Sequence, residues 1–168
     1  MASKFVPLSF HGGHLNLGNA RAAMAFLNNA ISTYDFDFFS INEPYTFDDN
    51  ITSIPWNYSI ASHNRAPKAA IILKSSHNSQ IIHTSKEIVV IMARINGISL
   101  LLISVYCPPS KNIDYNLNIL RTILDKYHDL PTVILGDFNA KSRVWGRRNL
   151  DDRGKQTVDL LSSAGVEH

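Results

Sequence analysis

The apolar positions of the chain follow two spacings, one typical of helices and one typical of buried strands. A first helix is predicted after Asn19, which is a plausible N-cap. Its apolar stripe at helical spacing consists of Ala20, Ala23, Met24, Leu27 and Ile31. Two further helices are predicted, Tyr115 to His128 and about Asp152 to Ala164, and Gly165 is the expected C-cap of the last.

Apolar runs, several of them rich in β-branched residues, predict the strands. The first is an extended piece within Val6 to Leu17, which two glycines interrupt. The later predicted strands are Asp37 to Asn42, Ala69 to Leu73, Glu87 to Ile95, Ile98 to Tyr106 and Thr132 to Leu135. Asn96-Gly97 predicts a two-residue hairpin, and Pro55-Trp56 a turn. Helices interleaved with hairpin-linked strands favour a mixed α/β layered fold, which we expect to form one domain over residues 1–168.

Composition narrows the class of protein. With 168 residues, 45% of them apolar and 18% charged, the chain can bury the core of a globular domain. No apolar run reaches the length of a bilayer span, and the first residues lack a secretory signal, so we expect an intracellular protein without a membrane partner. The single cysteine, Cys107, excludes an internal disulfide and is expected to be a small buried residue.

Basic residues are concentrated near the end of the chain, although the net charge is only +2. Six of them lie between positions 141 and 155, namely Lys141, Arg143, Arg147, Arg148, Arg153 and Lys155. Only Asp151 and Asp152 oppose them there. Such a patch suits a polyanion, because phosphate contacts release counterions. On charge alone, a solvated loop and helix end is an equally good interpretation.

Polar residues stand at the ends of apolar runs, where ligands bind in open α/β sheets. They are Asn16, Glu43, Tyr106, Asp137 and Asn139, and we expect them to share a site. Asp137 and Asn139 are two apart in a segment expected to be extended, which would put both side chains on one side. A carboxylate that activates water beside an amide that donates to phosphate suits phosphoryl chemistry. Gly-Asp-x-Asn is also common turn chemistry, and both interpretations stay open.

Glu43 follows an otherwise apolar strand, where a carboxylate is costly unless it is solvated, paired or metal-bound. Its oxygens suit Mg²⁺, and an exposed strand end is the alternative. Asn16 has the same two interpretations, with a cap or turn as the alternative. The Tyr106 hydroxyl can donate to phosphate or lie at the wet tip of a core aromatic residue. The seven histidines lack metal-ligand spacing, so His14 is expected to be structural or exposed.

Several short motifs together resemble the endonuclease/exonuclease/phosphatase superfamily, and more closely the endonuclease domain of non-LTR (LINE-type) retrotransposons. In chain order they are Leu15-Asn16-Leu17, Asn42-Glu43-Pro44-Tyr45, Ile54-Pro55-Trp56, Arg65 to Ile71, Ser104-Val105-Tyr106-Cys107-Pro108-Pro109, Gly136-Asp137-Phe138-Asn139-Ala140-Lys141, Trp145-Gly146 and Asp152-Arg153-Gly154. They extend over nearly the whole chain. Trp145-Gly146 favours the retrotransposon branch.

The resemblance implies a four-layer α/β sandwich, in which helices flank two packed mixed sheets. It implies Mg²⁺-dependent nicking of double-stranded DNA, with Mn²⁺ as an alternative metal and the nucleus as the place of action. The 3′-hydroxyl left by the nick would prime a reverse transcriptase domain of the same polyprotein.

By the same resemblance, Glu43 and Asn16 hold the metal, Tyr106 contacts the scissile phosphate, and Asp137 and Asn139 are catalytic. The residues expected to bind DNA phosphates are Lys141, Arg143, Arg147 and Arg148.

One departure from the family is clear. The family ends with a Ser-Asp-His segment that this chain lacks, and Glu167-His168 is interpreted as a chance ending. We therefore expect the final strands of the sandwich to be missing and nicking by this chain alone to be weak or absent. Two alternatives stay open, a phosphatase of the same superfamily acting on a small phosphate ester and an inactive DNA-binding remnant.

Overall fold

Strands and helices alternate along residues 9–166, the part of the chain that the computed structural model describes. The strands are β1 Gly12–Asn16, β2 Phe38–Asn42, β3 Thr46–Phe47, β4 Asn50–Ile51, β5 Tyr58–Ser62, β6 Ala69–Lys74, β7 Asn78–Thr84, β8 Ile88–Ile95, β9 Ile98–Tyr106 and β10 Thr132–Asp137. The helices are α1 Arg21–Tyr34, α2 Asp114–Lys126 and α3 Asp152–Ser163, and Arg143–Trp145 form a 3₁₀ turn. Predictions for Val6 to Leu8 and for Glu167-His168 lie outside the described residues.

Two four-stranded sheets contain most of the strands. The first has the order β1-β2-β6-β5 and the second the order β10-β9-β8-β7, while β3 and β4 form a separate hairpin. In each sheet one pair is parallel, β1 with β2 and β9 with β10, and the other pairs are antiparallel. Each parallel pair is joined through a helix, as parallel neighbours require. Both sheets are therefore mixed, as predicted.

The elements stack in four layers, in the order helix, sheet, sheet, helix. Three apolar layers, one at each interface, hold them together. Between the sheets lie residues that alternate along the strands, including Phe38, Ile71, Ile91 and Leu102. Outside the first sheet, Met24, Leu27 and Ile31 of α1 pack on the opposite strand faces. Outside the second sheet, α2 and α3 cover Val90, Leu101 and Ile103. The four-layer α/β sandwich is confirmed.

Several details differ from the predictions. Asn19 is not the N-cap of α1, because the cap position is Ala20 and the Asn19 Oδ1 instead accepts a hydrogen bond from Lys68 Nζ at 3.1 Å. Thr132 to Leu135 is half-buried and not buried, since β10 is the edge strand of its sheet in the described part of the chain. β5 and β7 were not predicted, because few of their residues are apolar and buried.

Other local signals agree with the structure, apart from the exact cap of α3. Asn96 and Gly97 both have positive φ angles, 49° and 86°, as the tight hairpin between β8 and β9 requires. The C-cap of α3 is Ala164 and not Gly165 as expected, but Gly165 follows it with a φ of 67° and an N–H that donates to the Ser162 carbonyl. Among residues 9–166, none of the helices is long and apolar enough to cross a membrane.

Gly136 allows β10 to approach β9 closely at the point where the chain leaves the sheet. Its φ is 155°, in the range that side chains disfavour. A Cβ atom at this position would lie 1.9 Å from the Val105 carbonyl oxygen, a backbone atom that cannot rotate away. The conformation of the following Asp137 therefore depends on the absence of a side chain at position 136.

Gly136→Ala should destabilise the fold by roughly 2–4 kcal/mol, because β10 must separate from β9 to accommodate the methyl group. Urea unfolding followed by circular dichroism measures the loss. Gly97→Ala is the matched control, since Gly97 also has positive φ but open space around it. Similar losses in the two variants would show that backbone strain matters and the close approach does not.

Candidate active site

The carboxyl ends of four strands meet at one edge of the sandwich. β1 and β2 run parallel and end in register at Asn16 and Asn42, and β9 and β10 end in register at Tyr106 and Asp137. The N–H of Asp137 donates to the Asn42 Oδ1 at 2.9 Å, which joins the two sheets at this edge. The polar groups expected to share a site therefore lie together at this edge. The backbone conformation that brings Asn139 there differs from the expected one, as described below.

Asp137 is the centre of the cluster. Its Oδ2 accepts from the Asn16 Nδ2 at 3.4 Å, and its Oδ1 accepts from the backbone N–H of Asn139 at 2.9 Å. Asn42, whose amide side chain is fully buried, holds the backbone of Asp137 from the opposite sheet. Both the carboxylate and the backbone of Asp137 are thus oriented by amide groups.

Asn139 reaches the site by a route that strand alternation does not predict. Its φ is 47°, so residues 137–139 form a turn closed by the Asp137 carboxylate, and the expectation of an extended segment is wrong. The Asn139 Nδ2 donates to the Cys107 carbonyl at 3.2 Å. Phe138 packs into the layer beneath α2 and α3. The turn interpretation is locally correct, and the turn itself presents Asp137 and Asn139 at one cavity.

Glu43 and Tyr106 form a pair beside this cluster. Burial, followed by hydrogen bonding to Glu43 and the charges of Glu43 and Asp137, raises the pKa of Tyr106 to about 12. Lys68, which the sequence did not suggest, brings its Nζ to 3.9 Å from Glu43 Oε1. Glu43 also has a left-handed backbone, with φ 46°, and its carbonyl accepts from Asn19 N–H at 2.7 Å. The carboxylate is therefore held at the strand end and stays partly open to solvent.

A buried polar chain continues from the site into the space between the sheets. The His14 Nδ1 lies 3.1 Å from the Ser40 Oγ, which donates to the Ser104 Oγ at 2.8 Å. Burial lowers the pKa of His14, while the charge of Asp137 raises it by a smaller amount. His14 is thus a half-buried, hydrogen-bonded residue, which agrees with the structural role expected for it. Ser40 and Ser104 were not predicted, although both follow the inward-facing period of their strands.

The basic run is not one patch. Lys141 and Arg147 line a cavity of about 630 Å³ together with Asp137, Asn139 and Trp145. Glu43, Tyr106 and Asn16 do not line this cavity and connect to it through Asp137. Arg143, Arg148 and Lys155 line a separate cavity.

Arg153 belongs to neither cavity, because its guanidinium group faces the protein. It donates to four backbone carbonyls, those of Asn139, Phe138, Cys107 and Lys111, at 2.7–3.1 Å. The Cys107 carbonyl also accepts from the Asn139 side chain, so Arg153 and Asn139 are bound to the same atom. Arg153 therefore fastens α3 to the two loops that carry the site and is not available to DNA. Its inclusion in a DNA-facing patch is corrected accordingly.

Cys107 is buried, as predicted, and burial raises the pKa of its thiol to about 11. A thiol that stays protonated is a poor nucleophile. Its contribution to the site is the backbone carbonyl that Asn139 and Arg153 share.

The oxygen donors at the site suit a hard cation that keeps most of its water. No group of three or more His, Cys, Asp or Glu side chains within residues 9–166 forms a complete cage for a metal. Mg²⁺ does not need one, because it commonly binds one or two carboxylates plus waters and phosphate oxygens. Glu43 provides such a carboxylate, and among residues 9–166 the Asn16 Oδ1 accepts one hydrogen bond, from Gly18 N–H at 3.0 Å, which leaves it a second lone pair. The donor set is compatible with Mg²⁺.

Comparison with known proteins agrees with this geometry. A family described as endonuclease-reverse transcriptase matches residues 100–167. The endonuclease domain of TRAS1, a telomere-specific non-LTR retrotransposon, superposes with a TM-score of 0.82 at 26% identity, over 95% of this chain and 74% of that one. A search of curated proteins finds no match.

More distant structures share the fold alone. An AP endonuclease from Archaeoglobus fulgidus has a TM-score of 0.59 at 14% identity, over 92% of this chain and 71% of that one. A mannosyl-6-phosphatase from Bacteroides thetaiotaomicron has a TM-score of 0.60 at 11% identity, over 90% and 70% of the two chains. The fold is therefore an α/β sandwich that the chain shares with nucleases and a phosphatase. The chain is similar to a retrotransposon endonuclease domain, and its residues 100–167 match the endonuclease-reverse transcriptase family.

Arg153→Lys should lower the free energy of unfolding by roughly 2–4 kcal/mol, because a lysine cannot donate to four carbonyls and leaves several unpaired. Urea unfolding measures the change. Arg148→Lys is the control, since Arg148 is exposed on the neighbouring loop and its replacement should cost less than about 0.5 kcal/mol. Equal stability of the two variants would contradict the proposed anchoring.

Tyr106 should ionise well above the pH at which ordinary tyrosines do. At a pH of about 11, ultraviolet absorbance should show a protonated tyrosine besides Tyr58, whose pKa burial also raises, and this signal should be lost in Tyr106→Phe and kept in the exposed control Tyr115→Phe. Folding favours the protonated hydroxyl, so its stabilisation is complete below pH 10 and is lost as the pH rises toward about 12. Complete ionisation of the wild type at that pH would contradict this assignment.

Proposed function

We propose that this chain contains most of a Mg²⁺-dependent DNA endonuclease site that hydrolyses phosphodiester bonds and leaves a 3′-hydroxyl. The observation that carries the proposal is the position of Asp137, which connects two sets of groups. On one side lie Glu43, Tyr106 and Asn16, and on the other lies a cavity with two basic residues. Carboxylates, a neutral phenol, amides and cations around one point suit a phosphate diester under attack by water.

Each residue has a chemical role in this proposal. Water attacks phosphorus and the bond from phosphorus to O3′ breaks. Asp137 takes the proton of the attacking water or gives one to the leaving oxygen. Tyr106, which stays protonated at neutral pH, donates to a phosphate oxygen, and Asn139 orients the Asp137 carboxylate and the phosphate.

Glu43 and Asn16 are the residues that would hold the metal, and Mn²⁺ is the alternative to Mg²⁺. A bound divalent ion supplies positive charge against the phosphate oxygens during hydrolysis. Asn16 also donates to Asp137, so the proposed metal site and the proposed base are coupled through one amide.

DNA is favoured over a small phosphate ester by two observations. Lys141, Arg147 and Trp145 line the cavity beside Asp137, and cations next to an aromatic ring suit a nucleotide chain. The similarity to the TRAS1 endonuclease domain points the same way. We further propose that Arg143 and Arg148 bind DNA phosphates outside this cavity. In this proposal the partner is a reverse transcriptase domain of the same polyprotein, which the 3′-hydroxyl primes. The place of action is the nucleus.

The phosphatase alternative is retained because a mannosyl-6-phosphatase shares the fold. Release of inorganic phosphate from small phosphate esters tests it directly. Release that is abolished in Asp137→Asn, without nicking of plasmid DNA by any form of the chain, would favour the phosphatase.

The endonuclease proposal predicts Mg²⁺-dependent nicking of supercoiled plasmid. We compare this chain with the same chain extended through a Ser-Asp-His segment, and expect robust nicking only from the longer one. In the longer chain, Asp137→Asn and Glu43→Gln should each lower the nicking rate roughly 10²- to 10³-fold, since each removes a preorganised group. Chelation of the metal should abolish nicking.

Asp125→Asn is the control, because it makes the same chemical change on the exposed face of α2. It should leave the rate unchanged. Nicking that survives Asp137→Asn in the longer chain would overturn the assignment of the site. Robust nicking by the 168-residue chain that is lost in Asp137→Ala would overturn only the expectation of weak activity.

A further inference from the structure

The loop between β10 and α3 contributes residues to two cavities. The second cavity has a volume of about 760 Å³, and none of its lining residues lines the cavity beside Asp137 and Asn139. It is lined by Ser142, Arg143, Val144, Arg148, Asn149, Leu150, Lys155, Val158 and Asp159. Neither Asp137 nor Asn139 contributes to it, so it is not part of the proposed reaction centre.

The second cavity carries a net positive charge. Arg143, Arg148 and Lys155 face it, and Asp159 is the one carboxylate in its lining. Within residues 9–166, none of the three cations has a carboxylate partner within 4.0 Å. Their charge is therefore available to an anion. Three cations around one cavity suit consecutive phosphates better than a single carboxylate ligand.

The two cavities are connected by the order of residues along the loop. Lys141 lines the first cavity, and Ser142 and Arg143 line the second. The pattern then repeats, since Arg147 lines the first and Arg148 the second. Each cavity therefore has cations that are sequence neighbours of cations in the other. A phosphate chain that runs along this loop from one cavity to the other meets positive charge in both.

The second cavity also has an apolar part that a paired duplex would not use. Val144 and Leu150 are large apolar residues that are 43% and 57% exposed, and Val158 lies next to them in the lining. In a duplex the flat faces of the bases are stacked on each other, so apolar side chains meet little apolar surface. An unpaired strand exposes these faces, and proteins that bind single strands combine basic grooves with contacts to them.

From these observations we infer that the second cavity binds an unpaired nucleic-acid strand that continues from the strand held at Asp137. Arg143, Arg148 and Lys155 bind its phosphates, and Val144 and Leu150 contact its sugars and bases. The inference rests on the proposed function for the presence of nucleic acid in the first cavity. It adds that the preferred substrate carries unpaired nucleotides next to the duplex.

Fluorescence anisotropy tests this with the Asp137→Asn chain and chelated metal, so that cleavage does not interfere with the binding measurement. The probes are a blunt DNA duplex and the same duplex with a short unpaired flank of DNA or of RNA. A flank of at least one kind should tighten binding roughly tenfold, because its phosphates add contacts to Arg143 and Arg148. Arg143→Ser combined with Arg148→Ser should abolish this gain and reduce the salt dependence for the flanked probe by about 1.4 logarithmic units per tenfold salt. Leu150→Ser should reduce the gain and leave the salt dependence unchanged.

Arg94→Ser combined with Arg121→Ser is the matched control, since it removes two exposed positive charges from β8 and α2, outside both cavities. It should leave the flank-dependent gain intact. Equal binding of blunt and flanked probes, or a gain that survives loss of Arg143 and Arg148, would overturn the inference. Failure of the proposed function has a different signature, because the extended chain would then not nick plasmid whatever the flank contributes to binding.

Discussion

The site depends on the apolar layer between the two sheets and on how that layer ends. Along β2 the side chains between the sheets are Phe38, Ser40 and Asn42, so they change from apolar to polar toward the carboxyl end. Along β9 the corresponding side chains, Leu100, Leu102, Ser104 and Tyr106, also change from apolar to polar. The apolar part brings the sheets together by the hydrophobic effect. The polar part then has to satisfy its hydrogen bonds across the gap, because an unpaired buried polar group is costly. The bonds from Ser40 to Ser104 and from Asp137 to Asn42 do this, and they align the strand ends that carry the site.

The same requirement explains the loops around Asp137. Chain segments leave the sandwich at this edge with free backbone carbonyls, and Arg153 binds four of them. A guanidinium group has several N–H donors in a fixed plane, so one side chain can hold loops that have no regular structure. α3 is held at its start by Asp151, whose Oδ1 accepts from both Lys141 N–H and Gly154 N–H. The loop between β10 and α3, which lines the two cavities, is therefore fixed near both ends.

Charge in this region acts in two ways. Arg153 donates its hydrogen bonds to backbone carbonyls of the protein. The side chains that line the two cavities are instead those of Lys141, Arg143, Arg147, Arg148 and Lys155. A count of basic residues cannot separate these roles, because both are compatible with the same composition. The distinction depends on which carbonyls the fold leaves near each guanidinium group. It also distributes the other cations between two cavities that one loop lines, which suits a chain-like polyanion.

Much of this protein could be predicted from its sequence. The helical stripes, the strands β2, β6, β8 and β9 and the Asn96-Gly97 hairpin follow from local patterns, because periodicity and turn chemistry act over a few residues. The sequence could in principle have predicted that the Asn42 side chain lies between the sheets, since it is two residues after Ser40 and four after Phe38 in the same strand. β5 and β7 were not readable, because their residues are neither strongly alternating nor buried on one face.

The tertiary structure alone decided the rest. The pairing of Glu43 with Tyr106 and Lys68 and the use of Arg153 as an internal donor both join residues far apart in the chain. The sequence by itself determined which groups stand at the strand ends. Only packing of the two sheets decided which of those groups touch, because hydrogen bonds between sheets depend on register and distance that no local pattern contains.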